Sequence, residues 1–244
     1  MKRIIDHLDL LEPQLVRWVG ALGLVKDHDG NPVDGYRVQG LAESIRRKVA
    51  FATTHLALLR GIPWSSVPDI GRPTPPRGQV KTISINFTDG TLELRTKDAV
   101  ESHVYLATDG LVAAVANLLD TFARLLCATY LLKLPARQAT LLTVRDKCAS
   151  PSPLGDALKA PAITSWLESV RVLRGECQHA DISNVLRQRF GTNGEPLVDR
   201  VYCWLDPTRD RPITVYATDC VDALADTFEA ACIAIRNCPT DPTK

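Results

Sequence analysis

The stretch from Leu111 to Leu134 constrains the fold more than any other part of the chain. Leu111, Val115, Leu118, Leu119, Phe122, Leu125, Leu126 and Leu132 lie on one wide apolar stripe of a helix, running over about six turns. A stripe that broad must be covered by other helices, so the chain is predicted to be mainly α, a helical bundle built around this element. Thr108 or Asp109 is the expected N-cap. Asn117, Asp120, Arg124 and Lys133 interrupt the apolar run, which a bilayer core would not readily accept, and no membrane span is expected.

Helical spacing recurs on both sides of this element. Near the start, Pro13 suits a first helical turn, and Leu15, Trp18, Val19 and Leu22 repeat until Gly23 stops the pattern. A second helix is predicted from Gly40 to Gly61, with Leu41, Ile45, Val49, Ala52, Leu56 and Leu59 on one face and Glu43, Arg46 and Arg47 on the other. His55 falls within the apolar face and reads as a helix-packing histidine. After Ser150-Pro151-Ser152-Pro153, a short helix is predicted through Leu154–Leu158. Pro161 then begins another that carries Ile163, Trp166, Leu167, Val170 and Leu173. The last helix has Thr218 or Asp219 as its cap, aligns Val221, Leu224, Phe228, Cys232 and Ile235, and ends at Asn237 and Pro239.

Between the helices lie loops and hairpins. Asp27 to Gly35 is rich in carboxylates, like a calcium loop, but its glycine falls at the fourth position and Val38 stands where a bidentate Glu belongs. A solvated turn is expected. Five prolines from Pro63 to Pro76 make a stiff, extended connector. In Lys81 to Arg95, Ile83, Ile85 and Phe87 alternate with polar residues, as do Leu92 and Leu94, around Asp89-Gly90: a β-hairpin. A second hairpin is predicted from Val198–Leu205 and Ile213–Tyr216. Val185 to Phe190 is either a third strand or a helical turn. The expected organisation is one elaborated domain over residues 1–244. N-terminal helices and connector occupy 1–78, a hairpin 79–98, and the core 100–238, with the second hairpin and the last helix inside it.

Charge narrows the function classes. Lys+Arg 29 against Asp+Glu 28 leaves a net charge of +1 on 244 residues, which excludes the broad cationic surface of a protein that coats nucleic acid. Residues 1–11 carry Asp6, His7 and Asp9 among their apolar positions and do not read as a signal peptide. The seven cysteines include no CxxC pair; they are expected to be reduced, several as small hydrophobes, in a cytoplasmic protein.

One segment combines chemistry-bearing residues: Arg174, Gly175, Glu176, Cys177, Gln178 and His179. Arg174 lies near Val170 and Ile163 on the apolar stripe, so its guanidinium must reach a partner carboxylate, line a cleft or snorkel out at the helix end. His179 follows five residues later, turned about 140° away on an ideal helix. The two share a cleft only if the backbone deviates, with Gly175 the place for it, or if two subunits contribute. Glu176, three residues before His179, is placed to orient the imidazole or to form an ordinary surface pair. Cys177 and His179 lack the further ligands that zinc needs, so no metal or other cofactor is expected.

At this segment the sequence resembles the HEPN superfamily, compact helical bundles many of which are metal-independent ribonucleases. Their signature is an arginine followed after four to six residues by a histidine, as Arg174 and His179 are. The resemblance covers roughly 100–190 and implies a HEPN-like helical bundle, with the N-terminal helices and the β-hairpins as additions. It implies an endoribonuclease with Arg174 and His179 in the site and Glu176 in support, acting on RNA, with tRNA as one candidate target, as a homodimer. It also implies a toxin or anti-phage role with an antitoxin or defence protein as partner. The chemistry is coherent: histidine moves protons to and from a 2′-hydroxyl and a leaving 5′-oxygen, arginine holds the phosphate, and 2′,3′-cyclic phosphate ends result. Active members usually carry Asn, Asp or His after the arginine, where this chain has Gly175. That departure supports the alternative, a catalytically silent HEPN-like module that binds a nucleotide, RNA or protein partner.

Overall fold

The long apolar stripe becomes the axis of a bundle in the computed structural model. The structure describes residues 1–61, 85–88, 91–94, 99–179, 186–190, 196–203, 213–238 and 241–243, with side chains over 1–61, 106–175, 213–238 and 241–243. Among them are seven α-helices and three two-stranded antiparallel ribbons, a mainly helical protein. The axial helix, α3 (Ala99–Thr129), buries Val115, Leu118, Phe122, Leu125 and Leu126 completely. It packs along α2 (Gly35–Gly61), while α1 (Lys2–Leu22) lies against α2 and α7 (Ile213–Arg236). Phe122 of α3 and Phe228 of α7 stack with ring centroids 4.1 Å apart. Three shorter helices, α4 (Leu141–Lys147), α5 (Pro153–Lys159) and α6 (Pro161–His179), close the remaining side of α3 and α7.

Residues 106–129 of α3 have the length and composition to cross a membrane, but 78% of the apolar window is buried inside the protein. The packing of the bundle accounts for that apolarity.

Several helices begin earlier than the sequence predicts, each because burial outweighs a local signal. Pro13 lies inside α1 rather than in its first turn. Ile4, Leu8, Leu11, Leu15 and Val19 are all buried at three-to-four-residue spacing, and burying that stripe offsets the one backbone hydrogen bond that Pro13 removes. α2 starts at Gly35, where Asp34 accepts the Arg37 N–H at 2.8 Å as an N-cap. Neither Thr108 nor Asp109 caps α3; Thr108 is buried within the helix. The predicted strand Ile213–Tyr216 is instead the first turn of α7. Ile213, Ala217, Cys220, Val221 and Leu224 continue one buried face, and the Thr218 hydroxyl donates to the Thr214 carbonyl, a bond of the helix interior rather than of a cap.

The ribbons follow the same logic. β3 (Ile85–Thr88) pairs with β4 (Thr91–Leu94), with Phe87 opposite Leu92, as the alternation predicts. The second hairpin joins β5 (Leu186–Phe190) to β6 (Pro196–Cys203), so the segment left open between strand and helical turn is a strand, and it takes the place of Ile213–Tyr216 as the partner. The Pro63–Pro76 connector lies outside the described residues.

The loop expected as a solvated turn is a small ribbon, β1 (Val25–Lys26) with β2 (Pro32–Val33). The Asp27 carboxylate accepts the backbone N–H groups of Asp29 and Asn31 and pairs with Arg37. Burial opposes the charge on Asp27, but the Asn31 N–H and the Arg37 guanidinium outweigh it and hold its pKa below the usual carboxylate value. Asp29 reaches across to accept the Ala136 N–H at 2.8 Å, tying this loop to the turn before α4. At the other end of α4, the Ala149 N–H donates to the Thr243 carbonyl and the Leu154 N–H to the Pro242 carbonyl. The C-terminal residues thus fasten the α4–α5 corner.

Candidate functional site

Arg174 reaches a partner carboxylate and lines a cleft, two of the three roles open to it from the sequence. On α6, Leu167, Val170 and Leu173 are buried against the bundle, and Arg174 follows at the flank of that stripe. Its Nη1 donates to Asp120 Oδ2 of α3 at 2.6 Å, with the Arg174 side chain 33% exposed and that of Asp120 20%. A charge-assisted bond at this depth fixes the guanidinium and leaves its outer edge open to solvent. Nε and Nη2 make no hydrogen bond among the described residues.

The pair stands at the rim of a cleft that encloses about 70 Å³ between α3, α4 and α6. Ala116 and Leu119 supply one wall, Leu141 and Leu142 a second, Leu167 and Val170 the third; Thr140 and Arg171 complete the rim. α4 is positioned by its own cap. The Thr140 hydroxyl accepts the Thr143 N–H at 3.2 Å, and the Thr143 hydroxyl accepts the Thr140 N–H at 2.9 Å. α4 was not foreseen from sequence, nor were Asp120 and Arg171 as members of a site. A signal for Asp120 existed: it and Arg174 are opposite charges, each set into the apolar stripe of its own helix. Complementary interruptions on two stripes are what a helix–helix ion pair looks like before folding.

His179 is the last residue of α6, and the helix runs unbroken through Gly175. The backbone deviation that would bring Arg174 and His179 together within one chain is absent at this position. Among the described residues no atom lies within 4 Å of where a Gly175 Cβ would stand, so no packing contact among them requires glycine there. Arg174 and His179 are therefore separated by about 140° around one continuous helix. Glu176 and His179 keep their i, i+3 relation on the α6 backbone; their side chains lie outside the described residues.

The other candidate groups are structural. His55 packs directly over Gly110 of α3, where an added Cβ would come within 2.1 Å of its Cε1. Cys127, Cys148, Cys220 and Cys232 are buried. Burial pushes Cys127 and Cys232 up to about 12 and Cys148 up to about 11, so they are neutral and poorly nucleophilic at neutral pH. Among the described residues no group of three or more His, Cys, Asp or Glu is placed to hold a metal ion. Comparisons with protein-family models, with curated proteins and with solved structures find no match for this chain.

Proposed function

We propose that this chain is a HEPN-like helical module that binds a ligand or partner at the Arg174 cleft and does not cut RNA within a single copy. One observation carries this reading. The arginine of the motif is already committed to Asp120 and lies about 140° from the histidine on an unbroken α6. A phosphate held by Arg174 would then be out of reach of His179 in the same chain, leaving the reacting atoms without the histidine that the motif supplies as acid and base. Gly175 in the motif points the same way.

The endoribonuclease reading has its own support in the open outer edge of Arg174, which remains free to fork onto a phosphate. It requires a homodimer in which Arg174 of one copy meets His179 of a second. There the histidine would take the 2′-hydroxyl proton and the arginine would stabilise the pentacoordinate phosphate, without metal. In that case a cytoplasmic role in defence or as a toxin, with tRNA as target, follows from the HEPN resemblance.

Incubating wild type, His179→Ala and Arg174→Ala with mixed cellular RNA in EDTA decides between the two. The binding module predicts no cleavage by any of the three proteins. Cleavage by wild type that leaves 2′,3′-cyclic phosphate and 5′-hydroxyl ends, and disappears in both variants, establishes the dimeric nuclease instead.

A further inference from the structure

We infer that the cleft between α3, α4 and α6 is a binding site for a small organic monoanion: a carboxylate carried on a short aliphatic or single-ring aromatic body. This rests on the reading of the chain as a binding module and names the ligand class for it. The walls are aliphatic on three sides, and Leu119, Leu142 and Val170 present carbon where the body of a ligand would lie. The Thr140 hydroxyl on the rim is already used in the α4 cap, so among the described residues the polar groups left to recognise a ligand are the two arginines and Asp120.

Their charges choose the sign and size of the ligand's own charge. Arg171, exposed and three residues before Arg174, has no ion-pair partner among the described residues. Arg174 keeps its outer N–H groups, and Asp120 cancels one of the two positive charges. Among the described residues the rim thus carries a net single positive charge, which a monoanion neutralises. A phosphate monoester, close to a dianion at neutral pH, overshoots it. The enclosed space of about 70 Å³ has room for on the order of five waters. It takes a short aliphatic chain or a single ring and leaves the charged end of the ligand at the mouth, beside the arginines. Asp120 has a further effect: it holds Arg174 in place while repelling part of the anion's charge, so it weakens binding as it orients the cation.

Methyl-labelled full-length protein titrated with 4-phenylbutyrate and, separately, with 4-phenylbutyramide tests this directly by NMR. The acid is expected to shift the methyl signals of Leu141, Leu142, Leu167 and Val170 saturably, with a Kd on the order of millimolar. The amide should bind about tenfold more weakly. Arg171→Ala, a change at an exposed position that leaves the bundle intact, should weaken the acid several-fold. Asp120→Asn, which keeps an acceptor for Arg174 but removes the negative charge, should tighten it. A merely structural role for these residues would produce neither change. The proposal is overturned if no saturable shift occurs, if acid and amide bind alike, or if both variants leave the affinity unchanged. It is overturned equally if a hexauridylate displaces the acid from the same methyls at lower concentration, which would make the cleft an RNA subsite. These outcomes are independent of the cleavage assay, so the ligand class can fail while the binding module stands.

Discussion

α3 and α6 carry similar apolar spacing in the sequence, yet they end in opposite situations. From Leu111 to Tyr130, α3 and the turn after it are buried at nearly every position except Ala113, Asn117, Asp120 and Arg124, because other helices pack around it. Over the residues whose side chains are described, α6 buries Leu167, Val170 and Leu173 along one line and leaves Val172 47% exposed, with Arg171 exposed at the rim of the cleft. A helix packed on all sides contributes cohesion and has no free surface for a ligand. A helix packed along one line contributes less to stability and keeps a flank on which charges can stand. The cleft forms on that flank of α6; α3 gives it a wall at Ala116 and Leu119 and a charge at Asp120, one of the few positions that α3 leaves partly open.

The strongest way to break this contrast is to truncate α3 at its best-packed point. Phe122 is fully buried and stacks on the equally buried Phe228. Phe122→Ala should cost about 3–5 kcal/mol in urea denaturation, through lost transfer energy and the cavity left behind. Val172→Ala on α6 should change stability by no more than about 0.5 kcal/mol. Comparable losses at the two positions would mean that α6 is held as tightly as α3, and that the cleft has no loosely packed flank.

A smaller effect tests how closely α2 and α3 approach. Alanine is a better helix former than glycine by about 1 kcal/mol, so Gly110→Ala would stabilise an open helix. Here the added methyl would meet the His55 ring at 2.1 Å, and the expected result is a net loss of about 1–3 kcal/mol from overpacking. Combining Gly110→Ala with His55→Ala should recover much of it. A stabilising Gly110→Ala would show that α2 and α3 can separate there without cost.

How much of this was legible in the sequence depends on which signal dominates locally. The helical character, the β3–β4 register and the run of α6 from Pro161 follow from periodicity alone, since their apolar residues repeat without a competing local signal. Helix starts were misplaced wherever a cap-like residue or a proline stood inside a continuous buried stripe, as at Pro13, Thr108 and Thr218. Tertiary burial reached past these markers. α4 escaped notice because only Leu141 and Val144 of its seven residues are buried, too few to establish a period. At the site, the Rx4-6H spacing identified Arg174 as unusual but not the partner that explains it. Asp120 is 54 residues away in sequence, and only the packing of α6 on α3 brings them together. That same packing lets α6 run straight through Gly175, which sets His179 on another side.

The Arg174–Asp120 pair is where the two helices meet as charges rather than as carbon, and its energetics should be modest. Both side chains keep contact with water, at 33% and 20% exposure, so solvent screens their attraction and reduces the cost of leaving one alone. Arg174→Ala and Asp120→Ala should each destabilise the fold by about 1 kcal/mol, and a double-mutant cycle should return a coupling of similar size. The loss should shrink in high salt, as it must for a partly exposed pair. A coupling several times larger, unaffected by salt, would indicate that the pair is sealed inside the bundle and serves cohesion as Phe122 does. A small, salt-sensitive coupling means instead that Arg174 is positioned at little energetic cost and keeps its outer edge for a ligand. In that case Arg174 can turn from Asp120 toward a ligand beside Arg171, three residues away on α6, without loosening α3.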